Sequence, residues 1–390
     1  MTFLKLLAEA FRDLFWPILP SGLFRKNESE PAFAFLVHPR DIADVYKKYP
    51  HSEALPIFVL KWMLRHFWPV IVSEVEGLHS KKTGKPIRGW IITTPLTADE
   101  MMRDRPRAVG LIRRGIKLAH YRGANFIGLG ALNASVTYRG RELKDLLDKF
   151  RFGVTTGVGY TAYNISDLAM TLLSRFKLDA RTTHFGIVGA AGSIATSTIR
   201  HLLKKGLRNF TLVDVERKKD RMINLIDEYK KQFPDANFKI TSNLWELKNC
   251  RFIVSATNTP EALIRKEHLS PGTVIIDDAQ PSDIDSDVII NCTDVLVIEG
   301  GVIEVKGINP HVSFGLKHKT DVFSCLAEVM VLAAYHRNQE QNFDYLYSEE
   351  IEEIGNLGKE LGFGRAEFQN FNKVYSDYDI EDFYKKYILG

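Results

Sequence analysis

An α/β protein built on a doubly wound, mostly parallel sheet is what this sequence predicts, on three observations. The first is the stretch from Thr183 to Arg221, in which an apolar run, a glycine-containing turn, a helix and a second apolar run follow one another. The second is the continued alternation of short apolar runs with helical stretches as far as Gly301. Such alternation is the pattern of βαβ units, whose strands lie parallel. The third is composition. Of 390 residues, 45% are hydrophobic and 26% charged, enough apolar material for a large core in two or three domains. The expected organisation is an N-terminal α/β substrate domain over residues 1–178, a Rossmann domain over 179–310 and a C-terminal helical segment over 311–390.

In chain order, residues 1–69 carry two apolar segments. Met1 to Phe15 spaces Phe3, Leu4, Leu7, Phe11, Leu14 and Phe15 among Lys5, Glu9, Arg12 and Asp13, a helical amphipathic pattern unlike a secretory signal. Ile57 to Ile71 is aromatic but is interrupted by Lys61, Arg65 and His66 and broken by Pro69, too short and too charged to span a bilayer. Both segments suit core-packing helices or a peripheral membrane contact. Val70–Glu76 and Ile87–Thr93 read as strands around a glycine turn. A basic helix follows, with seven Lys or Arg residues between Arg103 and Arg122, stopped by Gly123. Phe126–Leu132 reads as a buried strand entering a tight loop, Phe152–Thr156 as a short strand, and Tyr160–Phe176 as a helix.

The central unit is more specific. Phe185–Val188 is the first strand, and Gly189-Ala190-Ala191-Gly192-Ser193-Ile194 is the turn into a helix over Ala195–Lys205. Phe210–Val213 is the second strand. Small residues at such a turn let backbone N–H groups at the helix N-terminus approach a pyrophosphate. The strand end reads Asp214-Val215-Glu216-Arg217-Lys218-Lys219. A carboxylate there accepts from a free ribose hydroxyl, as in NAD, whereas Arg217 and Lys218 would clamp a 2′-phosphate, and the basic triplet favours NADPH. Ligands sit beyond the carboxyl ends of such strands. Ser255-Ala256-Thr257, Asp277-Asp278 and Gly300-Gly301 are therefore candidates around a nicotinamide, with Ala256, Thr257, Gly300 and Gly301 as cofactor contacts.

The net charge of +4 is too slight to argue for nucleic acid as a partner, and the wide spacing of Cys250, Cys292 and Cys325 fits neither a disulfide framework nor a metal site. A cytoplasmic setting is the expectation. Thr320 or Asp321 is a plausible cap for a helix carrying Cys325 in its first turns and Glu328 one turn on, a position that lowers a thiol's pKa.

Thr83–Gly89, the loop after Leu129-Gly130, Thr155-Thr156-Gly157, Val188–Ile194, Gly300–Glu304, Cys325–Met330, Ile351–Gly355 and Gly362-Phe363 stand in this order along the chain. Together they resemble the long-chain acyl-acyl-carrier-protein reductases. The resemblance implies NADPH-dependent reduction of a long-chain acyl thioester to the aldehyde. Cys325 would be the acyl-accepting nucleophile with Glu328 beside it, and Gly130, Thr156 and Gly157 would be substrate positions. The implied donor is an acyl carrier protein or coenzyme A thioester, the former matched by the basic stretch Arg103–Arg122. Two other readings fit the residues: a shikimate- or amino-acid-type dehydrogenase acting on a small keto compound, and a non-catalytic nucleotide-binding protein.

Overall fold

A computed structural model of the chain describes residues 11, 15–18, 30–259, 261–312, 314–337, 341–342 and 346–389. It divides into two compact units. One comprises Met1–Gly157, Gly307–Ser313 and Glu328–Phe343, and the other Val158–Lys306, Phe314–Ala327 and Asp344–Gly390. The helix Val158–Arg175, expected in the N-terminal domain, therefore belongs with the dinucleotide-type unit. The C-terminal chain is divided between the two, and it contains strands as well as helices.

In the first unit the strands are β1 (Ala32–Val37), β2 (Val70–Val75), β3 (Gly89–Thr93), β4 (Ala124–Leu129) and β5 (Gly153–Thr155). With the strand Gln341–Asn342 at one edge, the sheet runs in the order Gln341–Asn342, β5, β4, β1, β3, β2. All neighbours are parallel except β2 with β3. The central strand β1 lies within the span expected to be an amphipathic extension. Its six residues Ala-Phe-Ala-Phe-Leu-Val are apolar on both faces, which suits a strand covered on both sides. Residues 1–10 and 12–14, which carry most of the expected N-terminal amphipathic pattern, lie outside the described residues. Among the described residues no helix is long and apolar enough to cross a membrane.

The basic stretch becomes two helices, Ala98–Arg103 and Arg105–Tyr121, the second with Arg105 and Pro106 in its first turn and Asp104 accepting from the Arg107 N–H. Much of its charge is neutralised locally. Arg103 pairs with Asp99, Arg105 with Glu142, Arg113 with Asp145 and Arg122 with Glu74.

The second unit holds six parallel strands: β6 (His184–Val188), β7 (Asn209–Val213), β8 (Asn237–Thr241), β9 (Phe252–Ser255), β10 (Thr273–Asp277) and β11 (Val295–Glu299). Their order is β11-β10-β9-β6-β7-β8, so the chain starts in the middle, winds to one edge and then returns to fill the other half. This is the doubly wound arrangement, with its switch point between β6 and β9. The helix Ser193–Lys204 packs its apolar residues Ile199, Leu202 and Leu203 into a core shared with Phe185, Phe210 and Phe252. The C-terminal helix Asp377–Tyr387, capped by Ser376, joins the same core through Ile380, Phe383 and Tyr384, with Tyr384 stacked on Phe176 at 5.8 Å. A small antiparallel sheet pairs β12 (Val302–Val305) with β13 (Asp321–Phe323) and with the strand Phe363–Arg365.

Candidate functional site: a dinucleotide turn and the strand ends beside it

The turn after β6 is shaped by Gly189. Its φ of +76° is a left-handed conformation, and a Cβ at this position would lie 2.7 Å from the Ala256 carbonyl oxygen. The Gly189 N–H donates to the Val213 carbonyl at 2.9 Å, and the Gly192 N–H donates back to Gly189 at 2.7 Å. Ala190 and Ala191 are buried, and Gly192, Ser193 and Ile194 are half-exposed. No side chain caps the helix Ser193–Lys204 at Gly192. The first N–H groups of an α-helix lack intrahelical acceptors and carry the positive end of its dipole, so this opening suits an anion.

The end of β7 divides its charges unequally. The Asp214 carboxylate accepts from the Ala191 N–H at 3.0 Å and from the Val215 N–H at 2.8 Å, and it pairs with Lys218 at 3.0 Å. It is thus committed to holding the glycine turn against the strand end. Glu216 pairs with Lys219 at 3.0 Å. Arg217 is exposed and, among the described residues, has neither hydrogen bond nor ion pair. Of the two expected clamps, Lys218 is engaged by Asp214 and Arg217 is the one available.

On the other half of the sheet the strand ends carry buried carboxyl groups. Asp283 accepts from the Ser255 hydroxyl at 2.6 Å and from the Thr257 N–H at 3.2 Å, fixing the chain after β9. Burial pushes its carboxyl above the ordinary range. Asp277, at the end of β10, accepts from the Ser282 hydroxyl at 2.5 Å and the Ala279 N–H at 3.2 Å. Burial first, with the Asp283 charge adding to it, raises its pKa. Asp278 comes next. Its carboxyl lies where a Cβ on Gly301 would stand. The residue keeps some exposed surface, but its carboxyl end is enclosed. Desolvation and the neighbouring Asp277 and Asp283 hold it well above the usual carboxylate range.

Gly300 and Gly301 follow β11. The Asn164 amide donates to the carbonyls of Gly300 at 2.6 Å and Val302 at 3.1 Å, and the Gly301 carbonyl accepts from the Ser324 N–H at 2.7 Å. Ser324 opens the helix Ser324–Ala334, so Cys325 is its second residue and is half-buried. Thr320 and Asp321, the expected caps, do not adjoin the helix, because β13 intervenes. Asp321 is a residue of β13 and accepts from the Gln369 amide at 2.7 Å. Burial raises the thiol of Cys250 to about 11 and also raises that of Cys292, so neither is a ready thiolate.

Other expected positions fall in the first unit. Glu328 is fully buried, and its carboxylate accepts a short hydrogen bond from the Thr155 hydroxyl, which in turn accepts from the Gly157 N–H at 2.9 Å. Gly157 has a φ of +78°, and Thr156 is half-buried beside it. Gly130 is explained by packing, because a Cβ there would run into the Phe35 ring. Sequence reasoning passed over two residues at the same strand ends. Asn133 donates to the carbonyls of Leu36 at 3.0 Å and Gly130 at 2.9 Å. His38, buried and held neutral by burial, accepts from the Leu132 N–H at 3.2 Å. The His38-Pro39 pair closing an apolar run was the available signal.

The family model of shikimate/quinate 5-dehydrogenases matches residues 170–299. The aminotransferase PigE of Serratia sp. (strain ATCC 39006) is 30% identical over 292 residues, covering 72% of this chain. The chain spans 33% of the length of that relative. Among solved structures, L-tryptophan dehydrogenase from Nostoc punctiforme aligns over 91% of this chain and 87% of its own, at 10% identity and a TM-score of 0.39. The NAD-dependent malic enzyme of Thermotoga maritima aligns over 91% and 88%, at 14% identity and a TM-score of 0.38. The matched family model and the curated relative overturn the resemblance to long-chain acyl-acyl-carrier-protein reductases, and with it thioester reduction to a fatty aldehyde. The glycine turn, which carried part of that resemblance, lies within the matched residues, and Gly300-Gly301 directly follows β11 of the same sheet. Cys325 keeps its place at a helix start, without the acyl-accepting role the resemblance implied. Residues 170–299 are thus similar to an oxidoreductase family, on a doubly wound sheet.

Proposed function

We propose that this chain is an NAD(P)-dependent oxidoreductase of the shikimate- or amino-acid-dehydrogenase type, acting on a small keto compound with NADPH as its preferred partner. The observation that carries the reading is the Gly189 turn, closed by Asp214, opening onto an uncapped helix at the switch point of a doubly wound sheet. The residues fit a dinucleotide. The N–H groups from Ser193 onward would hold the pyrophosphate, and glycine at 189 keeps the turn free of a Cβ. Because Asp214 is engaged by its own turn, the preference rests on Arg217, whose guanidinium would meet a 2′-phosphate.

Bound there, the nicotinamide would supply or accept the hydride. The contribution of the chain at that end would be the Asp278 carboxyl, whose proton affinity is raised by desolvation and by Asp277 and Asp283. A carboxyl that holds its proton more tightly than usual is suited to donate to a carbonyl oxygen as it becomes an alcohol, and to accept the proton back in the reverse direction. Ser255, Thr257 and Asp283 fix the neighbouring loop, and Asn164 fixes Gly300, so the strand ends around Asp278 are preorganised. The test is nicotinamide absorbance with a panel of small keto acids and cyclic ketones. Consumption of NADPH with at least one of them, abolished in Asp278→Asn while NADPH still binds, is the expected result. Tight NADPH binding with no turnover on any of them would instead identify a nucleotide-binding protein.

A further inference from the structure

The helix Ile57–His66 of the first unit has apolar residues on two faces. Leu60 is buried and fastens the inner face. On the outer face Phe58 and Trp62, one turn apart, are 71% and 62% exposed, and Leu55, Ile57 and Met63 are exposed beside them. Water is a poor neighbour for two adjacent aromatic rings, and an outward apolar face marks a surface that meets something else. A second exposed pair is tied to the chain that follows this helix. Phe11 and Phe15 contact each other with ring centroids 4.6 Å apart, and Trp16, the next residue, buries its ring and donates from its indole N–H to the Pro69 carbonyl at 2.8 Å. That bond ties the Phe15 segment to the chain just beyond the Trp62 helix.

Charge says what the surface meets. From Leu55 to Trp68 there is no acidic residue, whereas Lys61, Arg65 and His66 all lie on the helix. Arg65 is held by Asp104, and Lys61 and His66 are exposed alongside the rings. Aromatic and aliphatic side chains flanked by cations, on a helix of ten residues that cannot span a bilayer, suit the boundary between headgroups and acyl chains. We propose that this face docks on an anionic phospholipid bilayer, with Phe58 and Trp62 entering the interface and Lys61 meeting the headgroup phosphates. The helix lies flat on the surface, and the attachment is peripheral and reversible.

The test is co-sedimentation of the full chain with vesicles of phosphatidylcholine alone or mixed with phosphatidylglycerol. The expected result is partition into the phosphatidylglycerol vesicles, weakened by added salt. The double variant Phe58→Ser/Trp62→Ser should lower it by roughly tenfold or more, because the partition energy follows the apolar area inserted. Lys61→Glu should weaken binding separately, and both variants should unfold at the wild-type temperature, since these side chains are exposed. Equal partition of wild type and double variant, equal binding to uncharged vesicles, or no binding to either would overturn the proposal. So would light scattering that shows a dimer broken by Phe58→Ser/Trp62→Ser, because the face would then meet a second copy. Trp62 emission, taken as the difference from Trp62→Phe, should be open to an aqueous quencher without vesicles and shielded with them. Shielding without vesicles would mean that the chain covers the face itself, and would also overturn the proposal.

Discussion

Replacing Gly189 by alanine tests the dinucleotide turn where its geometry is least forgiving. At a φ of +76° an L-residue sits in the left-handed region, which costs roughly 1–2 kcal/mol. The added Cβ would stand 2.7 Å from the Ala256 carbonyl oxygen and 3.0 Å from the Thr257 methyl carbon. Relief requires the loop after β9 to move, against the hydrogen bonds that Asp283 makes to Ser255 and Thr257, at an overpacking cost of about 1–3 kcal/mol. The sum, roughly 2–5 kcal/mol, corresponds to a fall in melting temperature of roughly 4–20 °C for a unit of this size. Gly192→Ala is the control in the same turn. Its φ of −72° is ordinary, and its Cβ would meet the Gly189 carbonyl oxygen at 3.0 Å, a cost of about 1 kcal/mol. Calorimetry of both variants, with NADPH titrated by fluorescence, reads stability and binding together. Gly189→Ala should lose both, and Gly192→Ala should be much milder in stability. A Gly189→Ala protein as stable as wild type and binding NADPH equally well would refute the account of the turn.

Other consequences can be checked directly. Burial, with Lys205 adding to it, pushes His201 down to about 4 from an unfolded value of 6.5. The unfolded chain therefore binds this proton first, so the contribution of His201 is fully present above pH 6.5 and is lost as pH falls toward 4. It amounts to roughly 3 kcal/mol. The difference in unfolding free energy between wild type and His201→Gln should follow that curve, and a difference that is flat with pH would contradict it. Thr155→Val leaves the buried Glu328 carboxylate without its hydroxyl donor and should destabilise the first unit by about 1–3 kcal/mol in urea denaturation. Unchanged stability would show that the hydrogen bond is dispensable. Asp278→Asn should leave NADPH affinity within about twofold while removing turnover, because an amide keeps the shape of the carboxyl but cannot pass its proton to the substrate. Retained turnover would move the proton to another group.

The second unit was legible almost residue by residue because its signals are local. The first strand is expected at Phe185–Val188 and found at His184–Val188, and the helix expected at Ala195–Lys205 runs from Ser193 to Lys204. Each element in a βαβ unit is announced by its own apolar run and ended by its own turn residues, so no distant contact is needed to place it. The strand β1 has the same kind of signal but sits among apolar neighbours at 11–18 and 57–71, and only pairing with β3 and β4 reveals it as the centre of a sheet. The three-stranded sheet is less accessible still. Its strands are three or four residues long and come from 302, 321 and 363, which no periodicity connects. The same holds for the site. The hydrogen bond between Thr155 and Glu328 joins residues 173 positions apart, and the engagement of Asp214 by the Ala191 N–H depends on the register of β6 with β7. Reading the strand end as a list of charges gave both Arg217 and Lys218 as clamps. The fold gives Lys218 to Asp214 and leaves Arg217 outward.

The measurement that bears most directly on the central claim is calorimetric titration of the wild-type chain and of Arg217→Ala with NADPH and with NADH. Wild type should bind NADPH saturably and more tightly than NADH. Loss of the guanidinium removes a charge-assisted contact of about 1.5–3 kcal/mol, so the variant should bind NADPH roughly 10- to 100-fold more weakly, with NADH unchanged. A wild-type chain that binds neither dinucleotide would contradict the assignment of the turn and of the function built on it.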